Sequence, residues 1–215
     1  MSNVPEQRVY VPSVSAVFRK TDERYGGLSN MAPGFPLVVN RVRIWTAEAL
    51  YQSCRFPAAP QVQEIIISER SPMTGKMKSK RFRNLTRPDW EHVRVRIMRW
   101  CLRIKLAQNW NRFGELLLMT GDMPIVEESS KDKYWGAMRD AEGHLVGANV
   151  LGRLLMELRE ELRNDRGENL KHIPPPEVPS FLLFGGSIGA IDVLSLEEDQ
   201  AARNAMLRFP SSHRE

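Results

Sequence analysis

Hydrophobic positions recur at two periods along this chain. In the first fifty residues they fall in short runs, VSAVF (14–18) and FPLVVNRVRIW (35–45), on either side of a YGGLSN stretch (25–30). The first run predicts a strand and YGGLSN predicts a glycine turn. The second run predicts a hairpin about Asn40-Arg41, with Val42 and Ile44 on one side and Arg41 and Arg43 on the other. From Thr46 onward the period lengthens. Thr46 predicts an N-cap for a helix over 47–56, and Pro60 predicts the start of a second short helix. The clearest helix follows Pro88 and runs to about Asn109. Trp90, Val93, Ile97, Cys101 and Ile104 repeat there at intervals of three and four, and Arg94, Arg96, Arg99 and Arg103 fall on the other face. Further helices are predicted over 112–119 and 150–163, with a short strand at 124–127.

The two ends break this pattern. Residues 1–13 are polar with two prolines and predict a flexible lead-in. Residues 164–180 are polar and proline-rich and predict a linker. Beyond them, FLLF (181–184) and AIDVLSL (190–196) predict strands, and residues 197–209 a short helix. Residues 181–215 thus form an extension that packs back on a domain spanning 14–163. The expected fold is a single α+β domain, mostly helical, with a small antiparallel or mixed sheet made from the N-terminal hairpin and the 123–128 strand.

Composition narrows the class. The chain has 215 residues, 42% apolar and 27% charged, which suits one soluble domain with a sizeable core. No apolar run approaches the roughly 18 residues of a membrane span. The N-terminus lacks a secretory apolar core, so a cytoplasmic location is expected. Cys54 and Cys101 belong to no CxxC or Cys/His cluster and read as reduced thiols. His92, His144, His172 and His213 have no zinc-ligand spacing, and neither a metal nor a cofactor is expected.

Charge adds the first functional pointer. The net charge is +5, with a pI of about 9.4. From Arg70 to Arg87 there are seven Lys or Arg and no Asp or Glu: Arg70, Lys76, Lys78, Lys80, Arg81, Arg83 and Arg87. Such a block is either a solvated face or a site for phosphate, in nucleic acid or in a phosphorylated small molecule. Pro72, Gly75 and two methionines within it predict a shaped loop. A second pointer is IVEESSKDKYWGAMRDAEGHLVGANVLG (125–152). Asp132, Tyr134, Trp135 and Gly136 stand together there, and Gly143, Gly147 and Gly152 bracket Asn149. A flat indole beside carboxylates suits a nucleoside, and it equally suits a tryptophan closing the core over a glycine turn.

Six segments in order resemble the NADAR superfamily of YbiA-like N-glycosidases: YGGLSNMAPGFPL (25–37), WTAEALYQSCRF (45–56), SPMTGKMKSK (71–80), WEHVRVRIMRWCLRIKLAQN (90–109), LLLMTGDMPIVEESSKDKYWG (116–136) and GANVLGRLLMELREEL (147–162). The resemblance covers roughly residues 17–163. It implies cleavage of a bond between ribose and a nitrogen-linked base. One type in the family acts on phosphorylated aminopyrimidine intermediates of riboflavin synthesis. Another removes ADP-ribose from guanine and can serve as antitoxin to a DNA-modifying ADP-ribosyltransferase. Riboflavin-type members read like Ser-Glu-His-Tyr-Phe-Gln where this chain has Ala-Glu-Ala-Leu-Tyr-Gln, so Ala49 and Leu50 replace a histidine and an aromatic. They also carry an Arg-Met-Gly-Arg-like string where this chain has Lys76-Met77-Lys78-Ser79-Lys80. Both departures favour the guanine-directed type.

The resemblance gives the candidate residues their roles. Glu48 is the leading catalytic carboxylate and Asp132 the second, although a first-turn glutamate such as Glu48 also simply suits the helix N-terminus. Lys78 or Lys76, with Lys105 behind them, could form a Schiff base with the opened sugar, or these lysines could only hold phosphate. Tyr134 and Trp135 would stack on the base. Tyr51, Gly136 and Asn149 would contact base or ribose, with Asn149 equally suited to capping the last helix. Arg19, Gly27 and Asn30 would touch the ligand from the first motif. The expected partners are ADP-ribosylated guanine in DNA and a cognate ADP-ribosyltransferase toxin. The alternatives are a glycosidase of riboflavin intermediates and a non-catalytic binder of ADP-ribose or nucleic acid.

Overall fold

A computed structural model describes residues 6–164 and 169–193. The strands are β1 (Arg8–Tyr10), β2 (Ala16–Phe18), β3 (Leu37–Val39), β4 (Val42–Ile44), β5 (Ile125–Glu127), β6 (Met138–Arg139), β7 (Leu145–Gly147), β8 (His172–Ile173), β9 (Leu182–Leu183), β10 (Gly186–Ser187) and β11 (Ile191–Asp192). The helices are α1 (Ala47–Ser53), α2 (Pro60–Ser68), α3 (Pro72–Ser79), α4 (Trp90–Gln108), α5 (Trp110–Leu118) and α6 (Val150–Asn164). The fold is α+β, as the sequence predicts. Among the described residues no helix is long and apolar enough to cross a membrane.

The predicted hairpin forms. Asn40 and Arg41 take φ of 49° and 63°, the left-handed pair that a two-residue turn of this twist needs. The sheet it was expected to join does not form. β3 and β4 pair only with each other, and β5 instead pairs in parallel with β2, Ala16 opposite Ile125 and Phe18 opposite Glu127. The reason lies on the outer edge of β3. Gln108 accepts from the Val38 N–H at 2.7 Å and donates to the Val38 carbonyl at 2.8 Å, so a side-chain amide satisfies backbone that another strand would otherwise pair.

Three other expectations need correction. Residues 72–85 of the basic block are helical and not a shaped loop. Ser71 caps α3 by accepting the Thr74 N–H at 3.3 Å, and Pro72 occupies the first turn, where its missing N–H costs nothing. A 3-10 segment, Lys80–Leu85, follows. The lead-in 1–13 contains β1, which pairs antiparallel with β7 in a three-stranded β1-β7-β6 sheet. The linker 164–180 is in part a packed segment. Leu170, Ile173 and Val178 join the same core as α4, whose Arg96 donates to the Glu177 carbonyl at 2.8 Å. Apolar spacing too irregular for any repeat hid this packing. The helix expected over 197–209 lies outside the described residues.

The core centres on α4, whose Trp90, Val93, Ile97, Cys101 and Ile104 are all buried. Arg99 pairs with Glu157 and Arg103 with Glu161, joining α4 to α6.

Candidate active site

The site begins at the first turn of α1. Thr46 accepts the Ala49 N–H at 3.2 Å and fixes the helix start. The Glu48 N–H reaches out of the helix to the Asn30 carbonyl at 3.0 Å, which ties the loop after the glycine turn to this helix. Glu48 is only 5% exposed. A buried carboxylate needs compensation. Gln52, one turn on, donates to its Oε1 at 3.0 Å, and the Lys76 Nζ lies 3.3 Å from the same oxygen. The carboxylate is therefore engaged with a cation and an amide rather than with the helix N-terminus alone.

β5 brings a second carboxyl. Glu127 ends this strand, and its pKa is pushed up from 4.5 to about 7. Burial is the main cause, the negative charges of Glu48 and Asp132 add to it, and Lys76 offsets part of it. Sequence reasoning missed Glu127. The available signal was a carboxyl at the last position of a predicted strand, just ahead of the Asp132-Tyr134-Trp135 segment.

The backbone after Glu127 is shaped by the residues first read as ligands. Asp132 Oδ1 accepts from the Tyr134 and Trp135 N–H groups at 2.8 and 2.9 Å, so this carboxylate sets the turn as well as carrying charge. A Cβ on Gly136 would lie 2.5 Å from the Glu127 carbonyl oxygen, so only glycine lets the turn cross β5 this closely. Asn149 is fully buried at φ 47°. It accepts from the Glu127 N–H at 3.2 Å and donates to the Ile125 carbonyl at 2.8 Å. Its amide staples β5 in place, and through β5 it positions Glu127.

Aromatic side chains border the carboxyls. Tyr51, on α1, meets Trp90 at 5.0 Å and the edge of Trp135 at 5.7 Å between centroids. Tyr134 meets Trp135 edge-on at 5.3 Å, and the Arg94 guanidinium lies 3.8 Å from the Tyr134 centroid. Burial, with Glu48 nearby, raises the Tyr51 hydroxyl well above its ordinary value, so it remains a donor at neutral pH.

The three candidate lysines separate. Lys76 points to Glu48, whose charge is the main cause of its raised pKa. Lys78, two residues on, turns away to Glu69. Lys105 is fully buried, donates to the Gly27 and Ser29 carbonyls at 2.7 and 2.9 Å, and lies between the rings of Phe35 and Phe113. Burial lowers its pKa well below the usual lysine value. Its amine holds the glycine turn that leads to Asn30. Arg19 is exposed, and its backbone N–H donates to Glu23. Gly27 packs on α5, where a Cβ would come within 2.6 Å of Leu116.

The structure thus brings Glu48, Lys76 and Asp132 to one place beside Tyr51, Tyr134 and Trp135, and adds Glu127. Gly27, Asn30, Lys105, Gly136 and Asn149 support the backbone around it, while Lys78 and Arg19 turn elsewhere. Ala49 and Leu50 are buried in the core, so the departure at these positions alters packing beneath Glu48. Burial and the charges of Glu48 and Asp132 favour the neutral form of Glu127 up to about pH 7, so a carboxyl able to donate a proton lies near the Glu48–Lys76 pair. Among the described residues no group of three or more His, Cys, Asp and Glu is arranged to hold a metal.

A small α+β domain thus gathers paired carboxyls, a lysine and bordering aromatics at one place. The NADAR domain matches residues 17–163, and the chain belongs to this N-glycosidase family. N-glycosidase YbiA of Escherichia coli is 36% identical over 145 residues, which cover 67% of this chain and 86% of that protein. A riboflavin biosynthesis protein of Vibrio vulnificus is 34% identical over 189 residues, covering 86% of this chain and 48% of that one. The chloroplastic riboflavin biosynthesis protein PYRR of Zea mays is 33% identical over 171 residues, 74% of this chain and 26% of that one. The chain therefore spans about half of the Vibrio protein and about a quarter of the maize protein. The NMR structure of E. coli YbiA aligns with a TM-score of 0.59 at 34% identity, covering 74% of this chain and 92% of that one.

Proposed function

We propose that this chain is an N-glycosidase that removes ADP-ribose from guanine bases of DNA, countering a DNA-modifying ADP-ribosyltransferase. The observation that carries this reading is the Glu48–Lys76 pair at 3.3 Å beside a Glu127 carboxyl that stays neutral up to about pH 7. The excess of cations over 70–87 suits the polynucleotide.

Hydrolysis breaks the bond from C1′ to the base nitrogen and joins a water oxygen to C1′. Glu127 gives its proton to the departing nitrogen, and Glu48 takes one from the water. General acid–base help of this kind is worth about 10²–10⁴-fold. Asp132 holds ribose hydroxyls. In a covalent variant, Lys76 passes its proton to Glu48 and attacks C1′ of the ring-opened sugar, the base nitrogen leaves with the Glu127 proton to give a Schiff base, and water then hydrolyses that imine to free the sugar and the lysine. Glu48 raises the Lys76 pKa and so favours the charged amine, which weighs against the covalent route and supports direct attack of water.

The test is release of ADP-ribose from an oligonucleotide bearing ADP-ribosylated guanine. Correctly folded protein that releases none would refute the reading. Borohydride added during turnover separates the two routes. An adduct lost in Lys76→Ala and kept in Lys78→Ala marks the covalent one. A second reading, hydrolysis of phosphorylated aminopyrimidine intermediates of riboflavin synthesis, is favoured by the names of the Vibrio and maize relatives. Release of ribose 5-phosphate from that substrate, with none of ADP-ribose from the oligonucleotide, would establish it instead.

A further inference from the structure

Several arginines elsewhere in this molecule sit beside carboxylates: Arg94 by Glu91, Arg99 by Glu157, Arg139 by Glu128 and Arg163 by Glu160. On the face made by α3 and the 3-10 segment after it, three clustered cations lack such a neighbour among the described residues. Lys80, Arg81 and Arg83 are exposed there and take no carboxylate partner among the described residues. No acidic residue occurs between Arg70 and Arg87. A solvated helix face is normally laced with opposite charges three and four positions apart, because like charges at that spacing are destabilising. This face also exposes large apolar groups among its cations. Met73 is 53% exposed, Met77 61% and Leu85 40%. Met73, Met77 and Lys80 stand at helical spacings of four and three, and Lys76, which reaches Glu48, belongs to the same helix. The face is therefore continuous with the site.

We propose that this face docks single-stranded nucleic acid, with the cations on its phosphates and the methionines and Leu85 against its bases. Polyanion complementarity selects the partner, and the apolar groups select the single strand. A duplex hides its base faces, whereas an unpaired strand presents them for contact. A half-buried Trp45, with Arg43 at 5.0 Å and Arg70 at 5.5 Å from its ring, supplies an aromatic platform just before α1. An unpaired strand also spares the unpairing needed to bring a base to buried groups such as Glu48 and Lys76. The delivery of a base to the site rests on the proposed function, but docking itself does not.

The experiment uses the full chain and a short, labelled, unmodified single-stranded oligodeoxynucleotide, followed by fluorescence anisotropy across a salt series. The variant is Lys80→Glu/Arg81→Glu/Arg83→Glu, with folding checked by circular dichroism and urea melts. Affinity should fall at least about ten-fold, and the slope of log affinity against log salt should shrink by about 0.7 for each phosphate that the protein no longer neutralises. The same variant should turn over an ADP-ribosylated guanosine mononucleoside at the wild-type rate while its kcat/KM on the modified oligonucleotide falls. Met77→Ser/Leu85→Ser keeps the charge and should narrow the preference for single over double strand. Wild-type protein that ignores the oligonucleotide at low salt, a triple variant that binds as well as wild type, or equal binding to vesicles rich in anionic lipid would each overturn the proposal. Tight, variant-sensitive binding without turnover of any modified substrate would sink the proposed function and leave the docking surface standing.

Discussion

Replacing Glu127 by glutamine tests the acid at the centre of the site. The change keeps the shape of the side chain and removes its titration. The folded protein moves this carboxyl from 4.5 to about 7, chiefly through burial. At about 1.4 kcal/mol per pKa unit, that gap is worth about 3 kcal/mol. Its sign follows from the direction. A carboxyl raised by folding contributes stability that is full below about pH 4.5 and is lost as pH rises through about 7. The glutamine variant undergoes no such loss, so the stability difference between variant and wild type should move by about 3 kcal/mol in favour of the variant between about pH 4.5 and about pH 8. Urea melts followed by tryptophan fluorescence across that range measure it. Catalysis gives the opposite result. Wild-type kcat/KM should decline as pH rises through about 7, while the variant should be slower by about 10²–10⁴-fold below it and lack that decline. A stability difference that stays flat with pH would refute the burial argument. Full activity in the variant would refute the acid role.

Other residues give sharper contrasts. Glu48→Gln removes the negative charge that helps hold Glu127 neutral, so the pH-dependent loss of stability should move to lower pH, and turnover should fall by about 10²–10⁴-fold; an unshifted midpoint in urea melts would argue against the coupling. Asn149→Ala removes both bonds to β5 and leaves a non-glycine residue at φ 47°, which should cost on the order of 2–4 kcal/mol in urea. Lys105→Met strips the Gly27 and Ser29 carbonyls of their donor and should destabilise by about 2–5 kcal/mol, while the folded protein still forms any borohydride-trapped adduct; loss of that adduct in folded protein would make Lys105 the nucleophile.

What could be read from the sequence depended on how local the cause was. The hairpin was legible because Asn40-Arg41 must itself adopt the turn. The inward face of α4 was legible because one helix repeats its own pattern over nineteen residues. Helix α3 was not, since Pro72 and Gly75 read as breakers although one starts the helix and the other lets it approach α2, where a Cβ would sit 3.1 Å from the Ile66 carbonyl. Glu48 was found from its place in a motif. Lys76 could not be told from Lys78, because only the position of α3 against α1 decides which side of the helix meets a carboxylate. Asn149 looked like a ligand contact because an asparagine between glycines advertises a turn and conceals which strand its amide binds. Glu127 was missed for the reason that makes it useful: its neutrality comes from burial and from two carboxylates, of which Glu48 is distant in sequence.

The parallel pairing of β2 with β5 has a consequence for biosynthesis. Ala16 and Ile125 meet only after everything from the hairpin through α5 has been laid between them. Closing so long a loop is slow and contributes nothing until it is complete. As the chain leaves the ribosome, α1 and α3 can bring Glu48 and Lys76 together early, but the acid opposite them arrives only when β5 docks, and Asn149, emerging later still, locks it there. A nascent or truncated chain ending before β5 would hold the ion pair without the acid proposed to act beside it, so the complete site should appear as one of the final events of folding.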